Sequence, residues 1–425
     1  MIDGVLPGGP YRRHIATRGQ IFSWTLFDFA NTAFYVIVLT VGYPLYFKEV
    51  VAQHGQRADF LWGTAFSVSM LIVAILSPIL GATADHGTGK KRFLGIFTAI
   101  CIMATAGLFV VERSMVAAGM LLLIAANVGF EAGLVFYDSF LPEITTERSY
   151  GRVSGYGFAM GYVGSLVTLV VAFPLYSAGF VESNLLNVRL SFLIAAAFFL
   201  VFATPLFLFL PDPQRTASLK LNFVKVGLER VRSTFRDFSR YKNIGRFLLA
   251  YFCYIDGVNT IIIFSSIFAM ETLKFGLGEI VIFFALVQTS AIIGSAAFGV
   301  LADKWGHKQT LTVTLLLWIV IVVIAYFVQT KTMFYAVGIL AGVALGSSQS
   351  TSRSLMSHIT PLEKKTEFFG FYSFFGKASA IVGPFVFGLV SSYVDQRTAI
   401  LSVGFFLITG LVLVQRVETS APRRQ

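Results

Sequence analysis

Long apolar runs separated by short polar loops recur along the whole chain. Each run has about 20 residues or more, enough for a helix rising about 1.5 Å per residue to cross a hydrocarbon layer about 30 Å thick. Twelve such runs are read at 20–47, 58–83, 91–111, 115–140, 150–178, 188–210, 245–270, 278–301, 309–328, 332–357, 367–393 and 397–415. Separate spans must satisfy their own backbone polar groups within lipid, so each run predicts a helix. The fold class this predicts is an all-α membrane protein. The longest polar stretch, 211–244, divides the spans into two groups of six. The expected organisation is an N-terminal segment at 1–19, a six-helix bundle at 20–210, a linker at 211–244, a second bundle at 245–415 and a tail at 416–425. In the linker, Leu221, Val224, Leu228, Val231 and Phe235 recur every three or four residues. That spacing predicts an amphipathic helix, and Lys225, Arg230, Arg232 and Arg236 suit it to an anionic lipid surface.

Composition agrees with the pattern: 56% of the residues are hydrophobic, only 13% are charged, and 44 are phenylalanine. The net charge of +11 raises the question of nucleic acid, and the position of the charges answers it. With the first span entering from the cytoplasm, most of the lysines and arginines fall in loops on one side, including Arg12, Arg13, Arg18, Lys90, Lys91 and Arg92. An excess of bases on the cytoplasmic side sets membrane topology, so both termini are expected in the cytoplasm and no nucleic-acid partner is needed. The first span is too long for a cleaved leader and lacks a small-residue cleavage pattern after it. Cys101 and Cys253 both fall inside spans, which argues for small buried hydrophobes rather than a disulfide or metal framework. The five histidines are scattered. No H-E-x-x-H pair, nucleophile elbow or Walker loop is present, so neither an enzyme nor an ATP-driven pump is expected, and no cofactor or metal.

The two halves repeat each other. "GATADHGTGKK" (81–91), between spans two and three, answers to "GVLADKWGHKQ" (299–309), between spans eight and nine, and "LFDFANTAFY" (26–35) answers to "CYIDGVNTII" (253–262). The stretch at 142–164 also resembles that at 357–383. An even number of spans per half makes these parallel repeats about an axis along the membrane normal.

The G-x-x-x-D loops resemble the signature loop of the major facilitator superfamily; "GVLADKWGHK" fits closely, while "GATADHGTGKK" has one inserted residue and His86 where a base is usual. "WTLFDFANTAFY", "FYDSFLPEI", "GRVSGYGFAMGYVG" and "SQSTSRSLMSHITPLEKKTEFFGFYSFFGKASAIVGP" resemble the branch containing autophagy-related vacuolar amino-acid effluxers and their bacterial relatives. The resemblance covers nearly the whole chain. It implies a twelve-helix fold of two six-helix parallel repeats, alternating access and an amino acid or similar cargo. The short loops fit a bacterial inner membrane.

Charges inside spans cost several kcal/mol unless they face water or a partner, so they mark the candidate site. Asp28 and Asp256 lie about 12 and 16 Å from the inner surface at 1.5 Å per residue. Each presents one face with its Asn and Thr, namely Asn31 and Thr32, and Asn259 and Thr260. Glu131 on span four, Gln349 and Arg353 on span ten and Lys377 on span eleven complete the expected substrate or proton pathway. The competing expectation is an ionic network between helices, with Asp28 or Asp256 against Lys377 and Glu131 against Arg353. Asp138 is read as a lid or loop contact. A zwitterion would place its ammonium on the acids and its carboxylate on Arg353 or Lys377, and a carboxylate in a dry site can also carry a proton. Gly81, Asp85, Lys90, Lys91, Arg92, Gly299, Asp303, Lys304, Gly306 and Lys308 form the expected cytoplasmic gate, the aspartates meeting neighbouring helix starts. The expected partners are a small-molecule substrate, membrane lipids and protons, with the chain acting as a monomer. The rival function is translocation of a lipid or lipid-linked precursor on the same fold.

Overall fold

A computed structural model describes residues 15–53, 55, 57–85, 89–211, 229, 232–233, 241–380 and 382–419. It contains twelve membrane-length helices: α1 (Arg18–Val51), α2 (Ala58–Ala84), α3 (Lys90–Val110), α4 (Val116–Ile144), α5 (Glu147–Tyr176), α6 (Glu182–Phe209), α7 (Lys242–Met270), α8 (Gly278–Trp305), α9 (His307–Phe327), α10 (Lys331–Ile359), α11 (Leu362–Tyr393) and α12 (Gln396–Gln415). The chain therefore crosses the bundle an even number of times. Its described ends, the α2–α3 and α8–α9 turns and the starts of α5 and α11 share one end, called here the basic end. The proposed linker helix at 221–235 lies almost wholly outside the described residues.

The apolar core comes in two main parts. One joins buried residues from Ala16 to Leu210, the other joins residues from Ile244 to Val417 with Tyr162 added from α5. The helices thus gather into two bundles, with no strand among the described residues.

Two helices depart from the regular spans that hydropathy predicts. After Phe34, α1 is wound with wider π turns at Tyr35–Thr40 and again at Phe47–Val51, a local unwinding that often marks functional helices. α11 is helical over Lys365–Ser379 and again over Val382–Tyr393. Pro384 has no N–H to give to the carbonyl four residues earlier, at Ala380, so the helix ends there and restarts with Pro384 in its new first turn.

The bundles meet from mid-depth to the basic end. α5 packs on α8 and α10, and α2 and α4 pack on the first half of α11. Glycines bring the backbones together: a Cβ at Gly151 or Gly155 of α5 would overlap the carbonyls of Gly299 or Ser295 of α8, and one at Gly81 or Gly370 would overlap Thr366 or Ser77 across the α2–α11 contact. The second half of α11 instead packs on α7 and α12 inside its own bundle. At the far end the ion pairs Lys48–Asp59, Arg189–Glu112 and Lys331–Glu279 each stay within one bundle. Because that glycine contact has no room for a side chain, Gly151→Leu is expected to wedge α5 away from α8. The check is cysteine labelling at Ser77, a buried position on the other basic-end contact, which should speed up by about tenfold or more for a bulky insertion costing 1–3 kcal/mol.

Candidate functional site

The centre of the inter-bundle contact is Arg353 on α10, which is 1% exposed. Its Nη1 lies 3.3 Å from Asp28 Oδ2 and 3.0 Å from Asp138 Oδ1. Its Nε donates to Ser154 Oγ at 3.0 Å and its Nη2 to the Ser154 carbonyl at 2.8 Å. Three rings surround the guanidinium carbon: Phe158 at 4.1 Å, Trp24 at 4.9 Å and Tyr137 at 5.7 Å. Trp24 stacks on Tyr137 with centroids 4.6 Å apart, and Tyr137 donates to Asp28 Oδ2 at 2.7 Å. Helix periodicity builds this cage. Trp24 and Asp28 are one turn apart on α1, and Ser154 and Phe158 are one turn apart on α5. Gly157 leaves the necessary space, since a Cβ there would come within 2.6 Å of both Asp28 Oδ2 and Arg353 Nη2.

A second ion pair spans the bundles. Lys377 Nζ of α11 lies 2.6 Å from Glu131 Oε2 of α4, with the lysine side chain 27% exposed and the glutamate 6%. Nearby, Tyr162 of α5 donates to Gln349 Oε1 of α10 at 2.6 Å. The network is thus paired in the opposite sense to that expected: Asp28 takes Arg353 and Glu131 takes Lys377. Partner choice depends on helix rotation and docking, which spacing along one chain does not carry.

Asp256 does not join these groups. It is fully buried inside the second bundle, where its Oδ1 accepts from Gly383 N at 2.8 Å and its Oδ2 has no hydrogen-bond partner among the described residues. The break before Pro384 frees that Gly383 N–H, and a carboxylate at a helix N-terminus is favoured by the helix dipole. Thr260 donates to the Asp256 carbonyl at 2.8 Å, and Thr32 to the Phe29 carbonyl at 2.8 Å. Asn31 is buried and Asn259 half-buried. Twin D-x-x-N-T stretches therefore have unequal surroundings, one between the bundles and one within a bundle.

The basic end carries the gate residues. Asp303 accepts from the backbone N–H of Gly151 at 2.7 Å and of Arg152 at 3.1 Å, and pairs with Arg152 Nε at 2.9 Å. Asp85 accepts from Glu367 N at 2.8 Å. Each aspartate thus meets a helix start in the opposite bundle, α5 or α11. Lys90 is buried and pairs with Glu143 at 2.7 Å, and Lys365 reaches the other oxygen of Glu143 at 2.6 Å. Lys91 and Lys308 bond the carbonyls of Leu210 and Gln415 within their own bundles. Arg92 and Lys304 are exposed. Gly306 joins α8 to α9 with φ +106°, a backbone conformation favouring glycine.

Sequence reasoning passed over Asp138, Tyr137, Ser154, Gly157, Glu143 and Lys365 as members of these clusters. Asp138 was expected as a lid or loop contact because it lies near the inner end of the fourth apolar run, whereas the last turn of the helix Val116–Ser139 presents it to Arg353 of the other bundle. The signal for it was the tyrosine and acid side by side in "FYDSFLPEI".

Twelve helices in two bundles, joined by buried charge, define a membrane transporter of the major facilitator class. The human organic anion transporter MFSD10 (TETRAN) superposes with a TM-score of 0.75 over 94% of this chain and 99% of that one, at 15% identity, which speaks for the fold alone. Residues 63–425 match the family model described as vacuole effluxer Atg22 like. The uncharacterized MFS-type transporter YxiO of Bacillus subtilis (strain 168) is 32% identical over 410 residues, 94% of this chain and 95% of that protein. Autophagy-related protein 22 of Pichia angusta is 26% identical over 385 residues, 76% of this chain and 68% of that protein. The chain belongs to the Atg22-like vacuole effluxer family, and its relatives are transporters rather than enzymes.

Proposed function

We propose that the protein is a secondary carrier moving a small polar or zwitterionic organic solute, an amino acid or similar, by alternating access across a bacterial inner membrane. The observation carrying this reading is the placement of Asp28, Asp138 and Arg353, and of Glu131 and Lys377, between the bundles. No rigid-body separation of the bundles at the basic end can occur without parting these charges. Groups that must part and rejoin are suited to being exchanged for a charged solute. Lys377, partly exposed, is the base positioned to meet a carboxylate, while Arg353 is enclosed. The basic end is taken as cytoplasmic, with both termini there, and the structure as the state closed on that side. Among these five groups the carboxylates outnumber the bases by one, which supports coupling to a proton.

The lipid-translocase reading would draw on an apolar recess between α1, α5 and α6, lined by Ala33, Ile37, Ala172 and Phe198 among others. It lies on the flank of one bundle, lined by none of these charges, so the polar-solute reading is preferred. Proteoliposomes with labelled amino acids inside test it: wild-type protein should exchange them, and Glu131→Gln should slow exchange about tenfold or more, the scale of one charge-assisted contact. Equal exchange by both proteins, or lipid scrambling without solute exchange, would remove the reading.

A further inference from the structure

Among the described residues, the hydrogen bonds, ion pairs and ring contacts of the Arg353 guanidinium come from the first bundle: Trp24 and Asp28 of α1, Tyr137 and Asp138 of α4, and Ser154 and Phe158 of α5. Arg353 itself belongs to the second bundle. The arrangement is a cage of aromatic faces and two carboxylates owned by one body, filled by a cationic side chain belonging to the other. Aromatic cages of this kind recognise organic cations through the negative faces of the rings, most strongly when the site is dry.

We propose that this cage is a binding site for an organic monocation, a guanidinium or alkylammonium group, and that Arg353 is its internal occupant in the state closed at the basic end. This inference rests on the alternating-access reading and adds the chemistry of the cargo. When the bundles part at the basic end, Arg353 leaves with the second bundle. Asp28 and Asp138 are then left together without their cation, and Trp24, Tyr137 and Phe158 lose the ion they face. Opened to water from the basic end, the two carboxylates keep their charge and attract a cation. A solute entering from the basic end with one positive charge restores the balance that Arg353 supplied. When the basic end closes again, Arg353 competes for the same place and drives the solute toward the far end, the side on which Glu131 and Lys377 lie. The cage thus discriminates by charge and by shape: a planar guanidinium or a methylated ammonium fits rings and carboxylates together, whereas a sodium ion meets only the carboxylates.

Vacating the cage by substitution tests the idea without knowledge of the natural solute. The purified full chain carrying Arg353→Ala is heated with millimolar methylguanidinium, tetramethylammonium or sodium chloride at equal ionic strength. The organic cations should raise its unfolding temperature saturably and sodium should not. The rise should vanish when Asp28→Asn is added, and the wild type, whose cage is occupied, should respond far less. No rise beyond that of sodium, or the same rise in the double variant, overturns the proposal. If Arg353→Ala cannot be purified as a folded protein, wild-type proteoliposomes decide. Counterflow of labelled methylguanidinium should be saturable and should fall about tenfold in Trp24→Ala, the scale of one desolvated cation–ring contact; absence of saturable flux overturns the proposal. Thermal rescue without any solute flux would keep the cage and count against the carrier. Exchange of neutral solutes without rescue would do the reverse.

Discussion

Replacing Arg353 with methionine is expected to open the basic end. Methionine keeps much of the side-chain volume, so the principal loss is the charge. Asp28 and Asp138 then share one buried space with no cation between them, and removing one partner of a buried pair costs about 3–5 kcal/mol. That cost falls on the closed state alone, because Arg353 is withdrawn from the cage once the bundles separate. Since 1.4 kcal/mol is a tenfold change, the open-to-closed ratio should rise by about two to three and a half decades. The check uses a chain lacking Cys101 and Cys253 with a reporter cysteine at Ser77, which is buried at the α2–α11 contact. A water-soluble maleimide should label it slowly with arginine at 353 and far faster with methionine. Arg353→Lys, which keeps the charge but loses the fork that reaches two acids and Ser154, should fall between them.

Glu143→Ala is expected to have the second large effect, for the mirror-image reason. Lys90 of α3 and Lys365 of α11 lie on its two oxygens, 2.7 and 2.6 Å away, and both lysines are buried. Without the carboxylate, two ammonium groups from opposite bundles face one another at the basic end. Like charges brought together out of water repel, and the loss should again be about 3–5 kcal/mol on the closed state. A double-mutant cycle measures the pairing: Lys365→Ala should be costly in the wild type but should favour the closed state once Glu143 is gone, by relieving the repulsion of Lys90, with a coupling of about 1–3 kcal/mol or more. Independent, additive effects would show that this cluster does not latch the bundles.

The helices were largely legible because lipid imposes one simple demand, a long apolar run, and the twelve runs carry it plainly. The helix interruptions were harder. Pro384 signalled the break in α11, since a residue without an N–H must sit near a helix start, but hydropathy reads straight across it. The π turns of α1 have no comparable marker in "YVIVLT". For the site, the costly residues stood out by type: Asp28, Glu131, Asp256, Arg353 and Lys377 are conspicuous in apolar surroundings. Their partners did not stand out. Asp28 and Asp256 sit in matching stretches, yet one meets Arg353 across the interface and the other meets the backbone of Gly383, because α11 has a break to be capped while its counterpart α5 runs unbroken over Tyr150–Tyr176. Glu143 and Lys365 lie at helix ends, where charges usually set topology from solvent, and only docking of the bundles makes them buried partners.

The central claim is that the bundles are locked through buried charge at the basic end and exchange that contact for one at the far end. Paired spin labels test it most directly: one pair at Arg148 and Lys304 across the basic end, another at Ser183 and Val394 across the far end, all exposed positions. In lipid, Arg353→Met should lengthen the Arg148–Lys304 distance and shorten the Ser183–Val394 distance together. Unchanged distances in both pairs, or a basic end that widens while the far end widens with it, would contradict the account.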